Sequence, residues 1–305
     1  MERLQVAIEK ARAQRDGTDP DRAETEAPGQ DKAGGDRAGG DKTGGDRARN
    51  APALPPLPLT PEAQVGQDRL WRELQPLDMS GIMRGSDIRI TTLKSGADSA
   101  PFDMLRTRIL HQAQTNGWKR IAVTSPHAGC GKTLTTANLA FSFARQAEMR
   151  TMVFDFDMRQ PELAKVLTQK PTATMGDVLE GRVPFARHAL RHGNNLAFAL
   201  NARPVPNSAE LLHSTTTREQ LARIEAEYQP DILLFDMPPL RSTDDSIGFL
   251  RYVDAAIIIV AAEQTPMAQI DVAERQVAEL TNVMGVVLNK CRIMDGEYGY
   301  ETYGS

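Results

Sequence analysis

The chain has 305 residues, of which 40% are hydrophobic and 25% charged, and its formal net charge is -4. This is enough apolar material for one sizeable core plus tails, and the mildly acidic balance excludes a general attraction to nucleic acid or anionic lipid. The longest apolar run, Ala255 to Ala262, is far shorter than the roughly 20 residues that cross a bilayer. Its opening residues carry charges where a secretory leader needs apolar side chains, and two cysteines, Cys130 and Cys291, make no disulfide framework. A cytoplasmic protein is expected, with no direct membrane span and no nucleic-acid partner.

Residues 1–16 place Leu4, Ile8 and Ala11 on one side of a short helix, which reads as a partner-docking element because it is too short to be stable alone. Residues 17–62 contain "DKAGGDRAGGDKTGGDRA", with Asp31, Asp36, Asp41 and Asp46 in register, and then "APALPPLPLTP". Without large apolar side chains the first part cannot pack, and the proline-rich part is stiff and extended, so the whole reads as a disordered linker. Trp71, Met79 and Met83 are expected to cover the surface of the domain that follows.

From residue 85 to residue 292 the pattern changes. "RIAVT", "TMVFDFD", "NLAFAL", "DILLFD", "AAIIIVAA" and "GVVLN" alternate with longer stretches of helical character. Runs that are apolar throughout suit parallel strands covered on both sides, so the expected fold is a doubly wound, mainly parallel α/β sheet with helices on both faces, and the glycine-rich turn "SPHAGCGKT" between its first strand and the next helix makes it P-loop NTPase-like. Ligands on such sheets lie at the carboxyl ends of the strands.

The chemistry-bearing residues fall at those ends. "SPHAGCGKT", residues 125–133, joins a strand to a helix; Gly129 and Gly131 let backbone N-H groups converge on an anion, and Lys132 would reach the β and γ phosphates. Pro126 stands where the usual pattern has its first glycine. Thr133 would supply one position on Mg²⁺. The expected nucleotide-binding residues are Gly129, Cys130, Gly131, Lys132, Thr133 and Leu134. "VFDFDMRQP" puts Asp155 and Asp157 at the tip of a second strand, and "ILLFDMPP" puts Asp236 at a third. Two carboxylates side by side repel unless a cation joins them, so Thr133, Asp155 and Asp236 are the metal candidates and the expected cofactors are ATP and Mg²⁺.

"SPHAGCGKT", "VFDFDMRQP" and "DILLFDMPP" resemble the Walker A, A' and B motifs of the bacterial tyrosine kinases, or BY-kinases, of capsule and exopolysaccharide synthesis. Asp155, Asp157 and Arg159, alternating after three apolar residues, carry the most specific part of the likeness. "GDVLEG", "PVPNSAELL" and "GVVLN" resemble further blocks, and the likeness covers about residues 85 to 305. Related partition ATPases have a lysine where His127 stands. The resemblance implies an autokinase with Lys132, Asp155 and Asp157 as catalytic residues, Asn289 against the adenine, and autophosphorylation of Tyr298, Tyr300 and Tyr303. These tyrosines stand in the segment 293–305, expected to be a flexible tail that one subunit presents to another. It further implies a membrane polysaccharide co-polymerase as partner, recruiting the kinase to the inner membrane. The family's association helix reads Glu, Arg, Arg at every third position; here the positions hold Ala100, Asp103 and Arg106, which puts ring assembly in doubt. Two other readings are a non-kinase P-loop ATPase switch and a nucleotide-binding scaffold that regulates a membrane assembly.

Overall fold

The computed structural model describes residues 61–84, 90–241 and 244–291. These belong to a unit running from Asn50 to Ser305; a separate unit, Met1–Arg49, lies outside the described residues. So do the expected docking helix, nearly all of the linker, and Tyr298, Tyr300 and Tyr303.

In chain order the described elements open with helix α1 (Pro61–Glu73), strand β1 (Gln75–Pro76) and helix α2 (Met79–Arg84). Helix α3 (Ala100–Asn116) leads into β2 (Arg120–Thr124), α4 (Lys132–Ala144) and β3 (Thr151–Asp155). Three short helices, α5 (Leu163–Val166), α6 (Met175–Leu179) and α7 (Phe185–His188), precede β4 (Leu190–His192) and β5 (Leu196–Ala199). Helices α8 (Ser208–His213) and α9 (Thr215–Tyr228) feed β6 (Ile232–Asp236), α10 (Asp244–Leu250) feeds β7 (Ala255–Ala261), and α11 (Met267–Ala278) feeds β8 (Asn282–Asn289).

Among the described residues the strands form one eight-stranded sheet in the order β1-β4-β5-β3-β6-β2-β7-β8, and every pairing is parallel except β4 with β5. The two-residue period of a strand divides each apolar run between two cores. In β3, Met152 and Phe154 join Phe156, Phe235 and Phe249 on one face, whereas Val153 joins Ile121, Val123 and Leu234 on the other. Phe154 and Phe235 stack at 5.2 Å between centroids, and Phe249 meets Phe156 edge-on at 4.7 Å. These rings fix how β3 and β6 sit together, and so where Asp155 and Asp236 end up.

The packed unit begins ahead of residue 85. Trp71 is fully buried in the core, not laid on the surface as its position in the sequence suggested, and its indole Nε1 donates to the Tyr228 carbonyl at 2.9 Å. Leu74, just past the end of α1, is buried in the same cluster. The adjoining β1 pairs in parallel with β4 at the sheet edge, the place where a strand tolerates Pro76. Met83, by contrast, is exposed.

His188, at the end of α7, is buried with its Nε2 making no hydrogen bond. Burial lowers its pKa to about 4, against the pull of Asp177. With the folded value below the unfolded one, the stability it contributes is complete above about pH 6.5 and is lost as pH falls toward about 4. That separation corresponds to about 3 kcal/mol. In urea titrations at pH 7, 5.5 and 4.5, His188→Gln is expected to show a shallower loss of stability on acidification than the parent chain; parallel losses would remove His188 as a cause.

Candidate active site

The turn from β2 to α4 is held at both ends. Thr124 Oγ1 donates to the Pro238 carbonyl at 2.9 Å, and Ser125 Oγ donates to the His127 carbonyl at 2.8 Å. Gly129 and Gly131 adopt φ of +82° and +90°, the left-handed region that favours glycine. Gly131 is constrained a second time, because a Cβ there would lie 2.3 Å from Asn289 Nδ2. No side chain caps the start of α4, so the N-H groups of its first turn are open to an anion. Cys130 is fully buried with Sγ 3.6 Å from His127 Nδ1, and His127 Nε2 lies 3.0 Å from Thr265 Oγ1.

Three carboxylates converge on one cation. Asp155 and Asp236 are paired across β3 and β6, at the carboxyl ends of both strands. Lys132 Nζ donates to Asp157 Oδ2 at 2.6 Å in a pair almost closed to solvent. Burial works to lower the lysine's pKa, but Asp236, Asp157 and Asp155 together outweigh it and raise the value. Burial first, then Asp236 and Asp157, push Asp155 well above the usual carboxylate range. Burial likewise raises Asp236 to about 6. Neither oxygen of Asp155, nor Oδ2 of Asp236, has a hydrogen-bond partner. Asp157 differs: besides the lysine, its Oδ1 accepts the Gln160 N-H at 3.3 Å.

The structure thus brings together Gly129, Cys130, Gly131, Lys132, Thr133, Asp155, Asp157 and Asp236, with Leu134 in the first turn of α4. Asn289, at the end of β8, comes to the rear of the same loop, where its Nδ2 donates to the Cys130 carbonyl at 2.9 Å. Two residues of the site escaped the sequence reading. Thr136 Oγ1 donates to the Lys132 carbonyl at 2.9 Å and to Asp236 Oδ1 at 3.4 Å; its position one helical turn after Lys132 is the signal that could have found it. Buried Asn201 donates through Nδ2 to the Asp155 carbonyl at 2.7 Å and accepts the Met175 N-H at 2.8 Å. It lies just past the end of β5, where a strand-end search would have reached it. Asp103 and Arg106 are engaged within the chain, since Ser142 Oγ donates to Asp103 Oδ1 at 2.6 Å and Arg106 Nη1 donates to the Ser142 carbonyl at 2.8 Å. Arg145 also pairs with Asp103, so this network ties α3 to α4.

A glycine-rich turn between a parallel strand and an uncapped helix, with carboxylates at the neighbouring strand tips, defines a nucleotide-binding P-loop protein. The family model for ParA, described as NUBPL iron-transfer P-loop NTPase, matches residues 118–303. The tyrosine-protein kinase CpsD of Streptococcus pneumoniae serotype 4 is 31% identical over 185 residues, 59% of this chain and 80% of that protein. The tyrosine-protein kinase YwqD of Bacillus subtilis strain 168 is 27% identical over 226 residues, covering 73% of this chain and 93% of that one. The kinase domain of the Escherichia coli tyrosine kinase ETK shares the fold at a TM-score of 0.61 and 18% identity, over 74% of this chain and 93% of its own. The chimerical protein CapA2B2 does so at a TM-score of 0.60 and 20% identity, over 72% of this chain and 92% of its own. The chain belongs to the ParA-type P-loop NTPases and, within them, to the bacterial tyrosine kinases. No helix among the described residues is long and apolar enough to cross a membrane.

Proposed function

We propose that the chain transfers the γ-phosphoryl group of ATP to Tyr298, Tyr300 and Tyr303 of its own C-terminal segment. On this reading it serves capsule or exopolysaccharide polymerisation and export alongside a membrane co-polymerase that recruits it to the membrane. The observation that carries the nucleotide part is the excess of buried negative charge beside the phosphate loop: three carboxylates face one lysine, and three of their oxygens have no partner. A divalent cation fits that deficit. Among the described residues no three His, Cys, Asp or Glu side chains enclose a metal by themselves, so Mg²⁺ held by Asp155, Asp236 and Thr133 would complete its shell with water and phosphate oxygens. When bound it supplies charge neutralisation to the phosphates.

Phosphoryl transfer asks the protein for position and countercharge more than for covalent chemistry. Lys132 meets the β and γ phosphates, while the first-turn N-H groups of α4 and the turn at Gly129 to Gly131 hold the remaining oxygens. As the tyrosine Oη to γ-phosphorus bond forms, the bond from that phosphorus to the β,γ-bridging oxygen breaks and ADP leaves. The phenolic proton passes to Asp157, assigned as base because it retains slight exposure, whereas Asp155 and Asp236 have none. In the free protein Asp157 is tied to Lys132; attraction of the lysine to the phosphates releases the carboxylate for this task. Asn289 is proposed to line the base site, supported by a cavity of about 370 Å³ that it shares with Phe102, Leu105 and Val287.

The match to ParA keeps an ATPase switch as the second reading, with the tyrosines as passengers. Mixing separates the two. Lys132→Met protein, which keeps the tyrosines, is incubated with a chain carrying Tyr298, Tyr300 and Tyr303→Phe and an intact site. With MgATP and the partner's cytoplasmic segment, phosphotyrosine is expected on the Lys132→Met chain in the mixture and in neither protein alone, by mass spectrometry. ATP hydrolysis without labelled tyrosine under any condition would leave the switch standing.

A further inference from the structure

Each peptide unit of the phosphate loop carries a carbonyl oxygen as well as an N-H. A loop that holds an anion must turn its N-H groups inward and its oxygens away, because an oxygen facing a phosphate repels it. In this chain the oxygens are tied back one after another. The His127 carbonyl accepts Ser125 Oγ at 2.8 Å, the Ala128 carbonyl lies 2.8 Å from His127 Nδ1, and the Cys130 carbonyl accepts Asn289 Nδ2 at 2.9 Å. The Gly131 and Lys132 carbonyls are taken by the Thr135 N-H and by Thr136 Oγ1, both at 2.9 Å. By contrast, the N-H groups of Gly129 and Gly131 donate to none of the described residues.

The outer half of the loop has the least support. Ala128 and Gly129 are exposed, and a Cβ on Gly129 would meet open space. What holds the Ala128 carbonyl is a ring, and that ring is held from behind. His127 Nε2 lies 3.0 Å from Thr265 Oγ1, which lies 3.0 Å from the backbone nitrogen of Ala261, the last residue of β7. Chemistry sets the direction of each bond. A carbonyl only accepts, so Nδ1 carries the ring's proton; Nε2 of the neutral imidazole then accepts, so the Thr265 hydroxyl donates to it and offers its lone pairs to the Ala261 N-H. From Ala261 to Ala128 every donor points the same way, and each bond polarises the next.

Two further contacts keep this chain in register. Cys130 Sγ lies 3.6 and 3.7 Å from the two nitrogens of His127, so the buried thiol covers the ring's face instead of favouring one nitrogen. Thr265 is delivered by a tight turn in which the Gln264 and Thr265 N-H groups both donate to the Ala261 carbonyl, at 3.2 and 3.0 Å. Within that turn Glu263 has φ of +61°, a left-handed value that a non-glycine residue keeps only where its surroundings hold it.

We propose that His127 and Thr265 are positioning residues for the nucleotide: a one-way chain of hydrogen bonds from the end of β7 that keeps the outer half of the phosphate loop turned with its N-H groups toward the phosphates. They act through the loop. Asn289 braces the same loop from β8, so the two strands beyond β2 each supply one side chain to its carbonyl face.

The brace has this meaning only if the loop holds phosphate, the reading proposed above, so the first measurement is made without nucleotide. In the full chain labelled with ¹⁵N-histidine, long-range proton–nitrogen spectra at pH 8 should show His127, identified by the signals lost in His127→Gln, protonated on Nδ1 and bare on Nε2. A proton on Nε2 would overturn the chain of bonds. The second measurement is affinity for a fluorescent, non-hydrolysable ATP analogue with Mg²⁺. His127→Asn puts its amide where Nδ1 stood and loses Thr265, whereas His127→Gln reaches the place of Nε2 and keeps it. His127→Asn and Thr265→Val are each expected to weaken binding about five- to tenfold, the worth of one hydrogen bond, while His127→Gln and Thr265→Ser stay within about twofold of the parent. Combining His127→Asn with Thr265→Val should cost no more than either change alone, because both cut one chain. Losses that multiply in the double variant, or tight binding by His127→Asn beside weak binding by His127→Gln, would overturn the brace. Unchanged affinity in His127→Asn and Thr265→Val beside a loss in Lys132→Met overturns the brace and leaves the phosphate loop; unchanged affinity in Lys132→Met as well overturns both.

Discussion

Asp155→Asn is expected to make the nucleotide-free protein more stable while reducing phosphoryl transfer by about 1000-fold, the scale on which essential electrostatic groups act. The stabilising half follows from the carboxylate's surroundings. Asp155 is fully buried, both of its oxygens lack hydrogen-bond partners, and its pKa is pushed well up by burial and by Asp236 and Asp157. A carboxyl whose folded pKa exceeds its unfolded value weakens the fold as pH rises from about 4 through the folded value, since the unfolded chain gives up the proton first. An amide of the same shape has no proton to lose. In buffer with EDTA the melting temperature of Asp155→Asn should therefore exceed that of the parent by about 3 °C or more at pH 8, the shift that about 1 kcal/mol makes in a domain of this size. The gap should close near pH 4. The functional half follows from the same excess charge: a neutral amide offers less to a divalent cation, so Mg²⁺, which should raise the parent's melting temperature, should raise that of the variant much less. A variant that is less stable at pH 8, or that gains as much from Mg²⁺, would remove Asp155 from the cation site.

The contrast between a cost in the free protein and a gain in the loaded one explains which parts of the site the sequence revealed. Gly131, Lys132 and Thr133 are contiguous, and Asp155 and Asp236 each end an apolar run, so local pattern was enough to place all of them at strand tips. What joins them is not local. Asn289 reaches the phosphate loop because β8 lies beside β7, two strands from β2, and its amide meets the Cys130 carbonyl across 159 positions of sequence. The family resemblance suggested only a base-binding role for it, and the sequence pattern by itself no more than a turn. Asn201 was passed over for a similar reason, because its work is to brace the backbone of β3 through tertiary contact.

The same distinction runs through the fold. Six strands were visible as apolar runs, five of them buried on both faces, while β8 is an edge strand with Val286 and Leu288 exposed and was legible only because its residues are apolar; β1 and β4 are two and three residues long, the first exposed and the second partly covered, leaving little periodicity to detect. Trp71 stands in a charged stretch, "QDRLWRELQ", whose apolar positions mean little until Tyr228 and the β4 edge are known to face them. Asp103 is a harder case. A motif comparison reads it as a lost association residue, and only the contacts to Arg106, Ser142 and Arg145 show it joining α3 to α4 within the chain.

Lys132→Met should shift stability in the opposite direction to Asp155→Asn and abolish the same reaction. Lys132 is the cation facing three buried carboxylates, with Nζ 2.6 Å from Asp157. Removing one partner of a buried ion pair leaves an uncompensated charge, a change that costs about 3–5 kcal/mol where it has been isolated. The remaining carboxylates can escape part of that cost by taking up protons, so the destabilisation should be small near pH 5 and grow toward pH 8. Mg²⁺ should recover some of it, since a divalent ion replaces the lost positive charge. Nucleotide affinity should fall by about 10- to 100-fold, the loss expected for a charged hydrogen bond to phosphate, and further when Mg²⁺ is absent and phosphates meet bare carboxylates. Lys132→Arg is the control, because it keeps the charge while changing its reach: melting temperature should stay near that of the parent, and transfer should still fail. Thermal melts at pH 5 and pH 8 with and without Mg²⁺, beside titrations of a fluorescent ATP analogue, read all of these effects. If Lys132→Met bound the analogue as tightly as the parent, the phosphate loop would have to be sought elsewhere. If instead it melted higher than the parent at pH 8, the three carboxylates would already be protonated in the free protein, and the charge excess invoked for Mg²⁺ would not exist.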